Sequence, residues 1–314
     1  MKVYVTRSIP EHYVERMRAE AEVRVWVEAS PVPRDVLLRE VSGIDGLFSM
    51  LTDGIDVELL DCAPQLRVVS QMAVGVDNVD IEACLSRGVR VGHTPDVLTG
   101  TVADHAFALL LAVARRLLEG HKEVMDGEWG TWDPWHLLGM DVHETILGIV
   151  GMGRVGNAVA RRATGFGMDV IYASRSATGE VGRHVSFDTL LAESDHVVIA
   201  APLTDETRSM FDDRAFKLMK PTATLVNVAR GPLVDSQALV EALAAGEIFG
   251  AGLDVTDPEP ISGDHPLLAL PNCLVVPHIG SASTRTRHRM AERTVDNLLA
   301  GLSGATMPSE VVRH

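Results

Sequence analysis

Arg230, Glu259 and His278 each stand just beyond a short apolar run that reads as a β-strand, over residues 223–228, 250–254 and 274–276. In open parallel sheets, ligands collect beyond the carboxyl ends of the strands. The spacing therefore gathers a guanidinium, a carboxylate and an imidazole on one rim. That set is sufficient to reduce a 2-keto acid. The guanidinium clasps a carboxylate through two parallel hydrogen bonds, a geometry that lysine does not copy. A protonated imidazole gives its proton to the carbonyl oxygen as hydride arrives at carbon, and a neighbouring carboxylate favours the charged ring. Each residue also has a plainer reading: Arg230 as a loop-closing surface arginine, Glu259 as a turn acid between Pro258 and Pro260, and His278 as one of 12 histidines. The apolar strand before His278, with Gly280 and Ser281 after it, favours the chemical reading.

A second motif belongs to the same rim. Gly151-Met152-Gly153-Arg154-Val155-Gly156 follows an apolar run and precedes a helical pattern that begins near Arg154. Gly151 permits a tight turn, Gly153 lets the backbone approach a pyrophosphate, and Gly156 lets the helix pack closely on the strand. The helix start, at Arg154 and Val155, turns its first amides toward the anion. Alone, this glycine spacing is weak evidence; a strand before it and a helix after it make it specific. Selection of NAD over NADP rests on an acid about 20 residues further on. Here the strand at 169–173 ends in Ser174-Arg175-Ser176, without an acid. Arg175 between two hydroxyls would welcome a 2′-phosphate, so NADP(H) is the expected cofactor. The alternative is an exposed loop arginine, with NAD(H) still used.

The elements that position these residues form two series. Strand patterns at 3–6, 23–27, 46–50, 66–70 and 89–92 alternate with helix patterns at 11–21, 34–41, 56–62 and 81–87. Such alternation predicts a parallel sheet with helices on both faces. A long helix is expected over 101–119, its centre Ala106-Phe107-Ala108-Leu109-Leu110-Leu111 buried against a domain or subunit interface. Residues 126–143 are irregular and hold Trp129, Trp132 and Trp135, three of the chain's four tryptophans. They read as an arm packed against a partner, the alternative being a loop folded onto its own domain. The second series begins at the glycine turn, with strands at 169–173, 196–200, 223–228, 250–254 and 274–276. The helix after Thr286 comes too late to extend that sheet and is expected to cross back. The fold class is thus α/β, with two doubly wound parallel-sheet domains. Residues 98–287 form a Rossmann nucleotide domain, and 1–97 with 288–314 a flavodoxin-like substrate domain.

Composition narrows the classes. A chain of 314 residues with 46% hydrophobic content can bury two cores. A net charge of −15 argues against nucleic-acid binding, which depends on Lys and Arg neutralising phosphates. No apolar run approaches the roughly 18 residues of a membrane span, and the N-terminus lacks a signal peptide's apolar region. Cys62, Cys84 and Cys273 are far apart and form no C-x-x-C pair. A reducing, cytoplasmic compartment is expected, and no metal site.

The segments Ala73-Val74-Gly75-Val76-Asp77-Asn78, Thr94-Pro95-Asp96-Val97-Leu98-Thr99, Asn227-Val228-Ala229-Arg230-Gly231, Gly252-Leu253-Asp254-Val255 and Pro277-His278-Ile279-Gly280-Ser281 carry a resemblance. Over nearly its whole length the chain resembles the D-isomer-specific 2-hydroxyacid dehydrogenases, and within them the glyoxylate/hydroxypyruvate reductases. The resemblance implies that Arg230, Glu259 and His278 are the catalytic trio. It implies that amides around Val74 and Gly75 take the substrate carboxylate alongside Arg230, with Ser281 nearby. Asp254, Gly280 and the stretch Val228-Ala229 would lie toward the nicotinamide, with Thr99, Pro202 and Thr207 bordering the cofactor. Glyoxylate and hydroxypyruvate would be the substrates, and a homodimer the assembly. In the family, a tryptophan of the aromatic arm reaches the partner's substrate site. Counting along Trp132-Asp133-Pro134-Trp135-His136 places His136 at that position, so either Trp135 or His136 fills it. The chain stops soon after the returning helix, so the regulatory domain of many phosphoglycerate dehydrogenases is not expected. Two rivals remain open: a relative that uses larger 2-keto acids with NADH, and a nucleotide-sensing, corepressor-like binding protein.

Overall fold

In the computed structural model, which describes residues 1–177 and 179–312, the apolar runs become short parallel strands in two sheets. The first unit, Met1–Leu98 with Ser283–His314, contains β1 (Lys2–Val5), β2 (Glu22–Val25), β3 (Gly46–Ser49), β4 (Val68–Gln71) and β5 (Arg90–Gly92) in the order β2-β1-β3-β4-β5. The second, Thr99–Ala282, contains β6 (Ile146–Val150), β7 (Asp169–Ala173), β8 (Arg183–His184), β9 (His196–Ile199), β10 (Thr224–Asn227), β11 (Gly250–Leu253) and β12 (Cys273–Val275). Their order is β12-β11-β10-β9-β6-β7-β8, the doubly wound arrangement whose direction reverses at β6. Both units are therefore parallel-sheet α/β, as the alternating patterns predict.

Covering both faces of a parallel sheet buries its central strands completely, which is why they read as apolar runs without alternation. Every residue of β3, β4, β9, β10 and β11 is buried. In the second unit, Leu147, Ile149 and Val226 pack with Ala106, Phe107, Leu110 and Val159 on one face, while Val197, Ile199 and Leu225 pack with Leu190, Phe216 and Leu239 on the other. Helix starts are set by short polar side chains. Asp56, Asp80, Ser186, Asp212, Asp235 and Ser283 each accept a first-turn amide. The returning helix, Thr284–Ser303, lays Ala291, Val295, Leu298 and Leu302 against Val3, Val5, Phe48 and Val68 of the first unit.

Two expectations are corrected. The helix expected over 101–119 is two helices, Thr99–Ala114 and Leu117–Asp126, broken where Arg116 takes a φ of 50° and its guanidinium grips Glu119 at 2.7 and 2.8 Å. In the apolar centre of the first, Ala106, Phe107, Leu109 and Leu110 pack on their own unit's sheet, joining the core beside β10 and β11. The return to the first unit falls at Ser283 rather than 288, because Ser283 caps the helix that packs there. The two-residue edge strand β8 was not legible in sequence.

His196 closes the amino end of the second sheet. It is fully buried, with Nε2 2.9 Å from the Asp141 carbonyl and Nδ1 2.7 Å from the Thr224 hydroxyl. A carbonyl only accepts, so Nε2 carries the hydrogen and Nδ1 receives the Thr224 O–H. Burial pushes this imidazole below its ordinary 6.5, against the Asp141 carbonyl and the Asp195 charge, which favour the cation. The unfolded chain therefore binds a proton near pH 6.5 that the folded chain refuses. Stability should be full above that pH and fall on acidification, by at most about 1.4 kcal/mol per pH unit from this group. Denaturant titrations at about pH 7.5 and 5.5 check this, and the decrement should shrink in His196→Gln. An equal decrement in the two proteins would remove His196 as its source.

Candidate active site

The loop after β6 and the loop after β9 meet at the point where the strand order reverses. Gly151 takes a φ of +94°, and a Cβ there would lie 2.6 Å from the Ala201 Cα. A Cβ on Gly156 would lie 2.1 Å from the Gly151 carbonyl oxygen, so only glycine brings the helix this close to its strand. Gly153 is different: a Cβ there meets nothing within 4 Å. The space belongs to solvent or to a ligand. The helix Arg154–Ala163, with Val155 in its first turn, begins at Gly153 without a side-chain cap, leaving its amino end to an anion. These residues fit a dinucleotide pyrophosphate.

Beyond β7, the Ser174 hydroxyl donates to the Ser176 carbonyl at 2.6 Å, while Arg175 and Ser176 are exposed. The Thr204 hydroxyl, the Glu206 amide and the Arg175 charge hold the Glu206 carboxyl below its usual range. Glu206 lies on the loop that contains Pro202 and Thr207. The Thr207 hydroxyl closes that loop, donating to the Pro202 carbonyl and accepting the Thr204 amide, both at 2.8 Å. Thr99 is the first residue of the helix Thr99–Ala114.

β10, β11 and β12 are neighbours, so the loops bearing Arg230, Glu259 and His278 leave the sheet side by side. After β10, the Asn227 side chain, 1% exposed, staples the turn: Oδ1 accepts the Ala229 amide at 3.0 Å and Nδ2 donates to the Arg230 carbonyl at 2.8 Å. Arg230 Nη1 donates to the Ala229 carbonyl at 2.7 Å. A Cβ on Gly231 would lie 1.9 Å from the Thr256 carbonyl oxygen, so the backbone here passes directly beneath the loop after β11. Val228 and Ala229 are half-buried at the same edge.

Glu259 Oε1 lies 2.6 Å from His278 Nδ1. A carboxylate only accepts, so Nδ1 carries a hydrogen and Nε2 is the ring nitrogen left for proton traffic. His278 itself takes a φ of +51°, a region that side chains adopt at a cost. Its amide is held by the Asp254 carbonyl at 2.9 Å and the Val276 carbonyl at 3.0 Å. The Asp254 carboxylate accepts the Ile279 amide at 2.7 Å, the Gly280 amide at 2.9 Å and His105 Nε2 at 3.1 Å. Burial alone would raise this carboxyl; the His105 hydrogen bond and charge, with the two amides, bring it below its usual value. The Asp254 carboxylate is 3% exposed and holds the loop. Ser281 follows, half-buried.

In the first unit, the loop after β4 turns its carbonyls to the protein: Val74 to His93 Nδ1 at 3.0 Å and Gly75 to Gln71 Nε2 at 2.7 Å. In the aromatic arm the two candidates separate. His136 Nε2 is 2.5 Å from Glu123 Oε2, tied to the helix Leu117–Asp126, whereas Trp135 is 79% exposed. Sequence reasoning missed His105 and Asn227. His105 left one trace, an imidazole directly before an otherwise apolar helix centre.

Residues 107–280 match the model of the D-isomer specific 2-hydroxyacid dehydrogenase NAD binding domain. A glyoxylate reductase of Thermococcus gammatolerans is 48% identical over 319 residues, covering 99% of this chain and 95% of the relative. Among solved structures, a protein of Thermus thermophilus superposes with a TM-score of 0.95 at 50% identity, over 99% of this chain and 100% of that one. An NADPH-dependent glyoxylate/hydroxypyruvate reductase of Sinorhizobium meliloti, in complex with NADP and malonate, superposes with a TM-score of 0.88 at 31% identity, over 99% and 96%. The chain therefore belongs to the D-isomer specific 2-hydroxyacid dehydrogenases and is an NAD(P)-dependent dehydrogenase.

Proposed function

We propose that this protein reduces glyoxylate to glycolate and hydroxypyruvate to D-glycerate, with NADPH as the preferred reductant and His278 as the general acid. The observation that carries the reading is the 2.6 Å pair of His278 and Glu259, on the rim that also bears the glycine turn. When bound, the reduced nicotinamide supplies hydride to the substrate carbonyl carbon. Arg230 holds the substrate carboxylate in a two-pronged clasp. His278 Nε2–H donates to the carbonyl oxygen, and Glu259 keeps the ring oriented and steadies its cationic form. In the reverse direction the neutral ring takes the hydroxyl proton. The amides at the start of the helix Arg154–Ala163 hold the pyrophosphate, and Arg175 with Ser174 and Ser176 takes the 2′-phosphate. The named activities of the Thermococcus and Sinorhizobium relatives support the substrate choice.

Initial rates with glyoxylate, hydroxypyruvate and pyruvate, each against NADPH and NADH, test the reading. Arg175→Ala should lower the preference for NADPH by about one to two decades, the worth of a hydrogen bond to a charged group. An unchanged ratio of Michaelis constants would detach Arg175 from cofactor choice. Tight cofactor binding with negligible turnover would instead favour a binding protein.

We further infer a homodimer. The helix Leu117–Asp126 has no buried residue, and Leu117, Val124 and Met125 on it are 56%, 52% and 70% exposed. Trp129, Trp132 and Trp135 of the adjoining arm are 64%, 80% and 79% exposed. So much apolar surface calls for a cover, and a second copy brings the same surface in return. Trp135, not the tethered His136, is the arm residue positioned to engage that copy. Sedimentation equilibrium at micromolar concentration should give twice the chain mass; the single-chain mass would refute the dimer. Among the described residues no helix is long and apolar enough to cross a membrane. Cys62, Cys84 and Cys273 are free thiols, supporting a reducing, cytoplasmic location. Fewer than three reactive thiols in the denatured, unreduced protein would count against it.

A further inference from the structure

We infer that His105 is a positioning residue for the proposed proton transfer, acting through Asp254 on the loop that carries His278. The inference rests on the function proposed above and deepens it. His105 lies on the helix Thr99–Ala114, and its Nε2 is 3.1 Å from Asp254 Oδ1. Because a carboxylate only accepts, Nε2 is the donor. Asp254 is 3% exposed, and three donors converge on its carboxylate: His105, the Ile279 amide and the Gly280 amide. The Asp254 backbone carbonyl takes the His278 amide as well. One residue thus grips three consecutive amides, from His278 to Gly280, and His105 is the side chain that joins them in that grip.

The grip is close. A Cβ on Gly280 would lie 2.7 Å from Asp254 Oδ2 and 3.6 Å from the His105 Cδ2, so glycine is what lets the loop sit against the pair. It also holds a backbone that would otherwise relax, since His278 sits at a φ of +51°. Without the His105 donor, a buried carboxylate loses one of its partners, and the loop is free to shift. His278 Nδ1 meets Glu259 at 2.6 Å, a contact that a shift of about 1 Å would abolish.

The test uses the full-length protein with His105→Leu and His105→Gln. Glutamine places an amide N–H at nearly the reach of the histidine Nε2; leucine places none. Hydrogen exchange of the 278–280 amides should quicken about 10-fold or more in His105→Leu and return toward wild type in His105→Gln. With glyoxylate and NADPH, His105→Leu should lower kcat about 10- to 100-fold while KM changes less than about threefold, and His105→Gln should recover most of the loss. Wild-type exchange in His105→Leu, equal impairment in the two variants, or a loss confined to KM would each overturn the inference. Exchange is read without turnover. If the wild-type protein reduces no keto acid but its loop amides respond to the two variants as stated, the function fails while the His105 grip stands.

Discussion

Replacing His278 with alanine is expected to lower turnover about 10²–10⁴-fold, the usual worth of a positioned general acid. The substitution removes the proposed proton donor and leaves the Glu259 carboxylate without its 2.6 Å partner. Cofactor affinity should change little, since the glycine turn lies on another loop. That separation makes the experiment interpretable: NADPH binding, followed by quenching of protein fluorescence, serves as the control for folding. Glu259→Gln keeps an acceptor for Nδ1 but removes the charge that steadies the imidazolium, and should cost roughly tenfold. The order of the two defects matters as much as their size. His278→Ala turning over within about twofold of wild type would dismiss the acid role, and a larger loss in Glu259→Gln than in His278→Ala would reverse the assignment.

Arg230→Ala should reduce kcat/KM for glyoxylate about 10²–10⁴-fold, from two charge-assisted hydrogen bonds of roughly 1.5–3 kcal/mol each. Arg230→Lys should recover only part of this, because an ammonium returns the charge without the planar fork. The protein fixes this arginine from both sides. Asn227 staples the turn that bears it, and Gly231 runs beneath the Thr256 carbonyl. The side chain therefore cannot swing away by a change in its own backbone. Steady-state kinetics on the two variants decide the matter. Equal kcat/KM in Arg230→Ala and wild type would move the carboxylate site elsewhere.

Much of this was legible because it is local. Strand patterns survive in sequence where both faces are covered, as at residues 196–199 and 224–227, which are buried throughout. The turn at Gly151 and Gly156 is legible because each of these two glycines answers a steric demand that no other residue meets. Residues at strand ends could be placed on one rim because parallel order puts every carboxyl end on the same side. What escaped was long-range or conformational. His105 and Asp254 are 149 positions apart, and nothing in either neighbourhood names the other. The helix break at Arg116 escaped because Leu117 and Leu118 carry the apolar rhythm onward although both are about half exposed, at 56% and 47%. β8 escaped because two residues, Arg183 and His184, pair through their backbone and have exposed side chains. The proposed choice of Trp135 over His136 rests on the contact that His136 makes with Glu123, 13 positions earlier.

The bare indoles of the arm have an optical consequence. Three of the four tryptophans, Trp129, Trp132 and Trp135, stand in water on one short segment. Emission from an isolated chain should therefore be dominated by this segment and lie toward the red. Any surface that covers the arm would shift the spectrum to the blue without a label, so dilution followed in a fluorimeter makes the protein its own gauge of self-association.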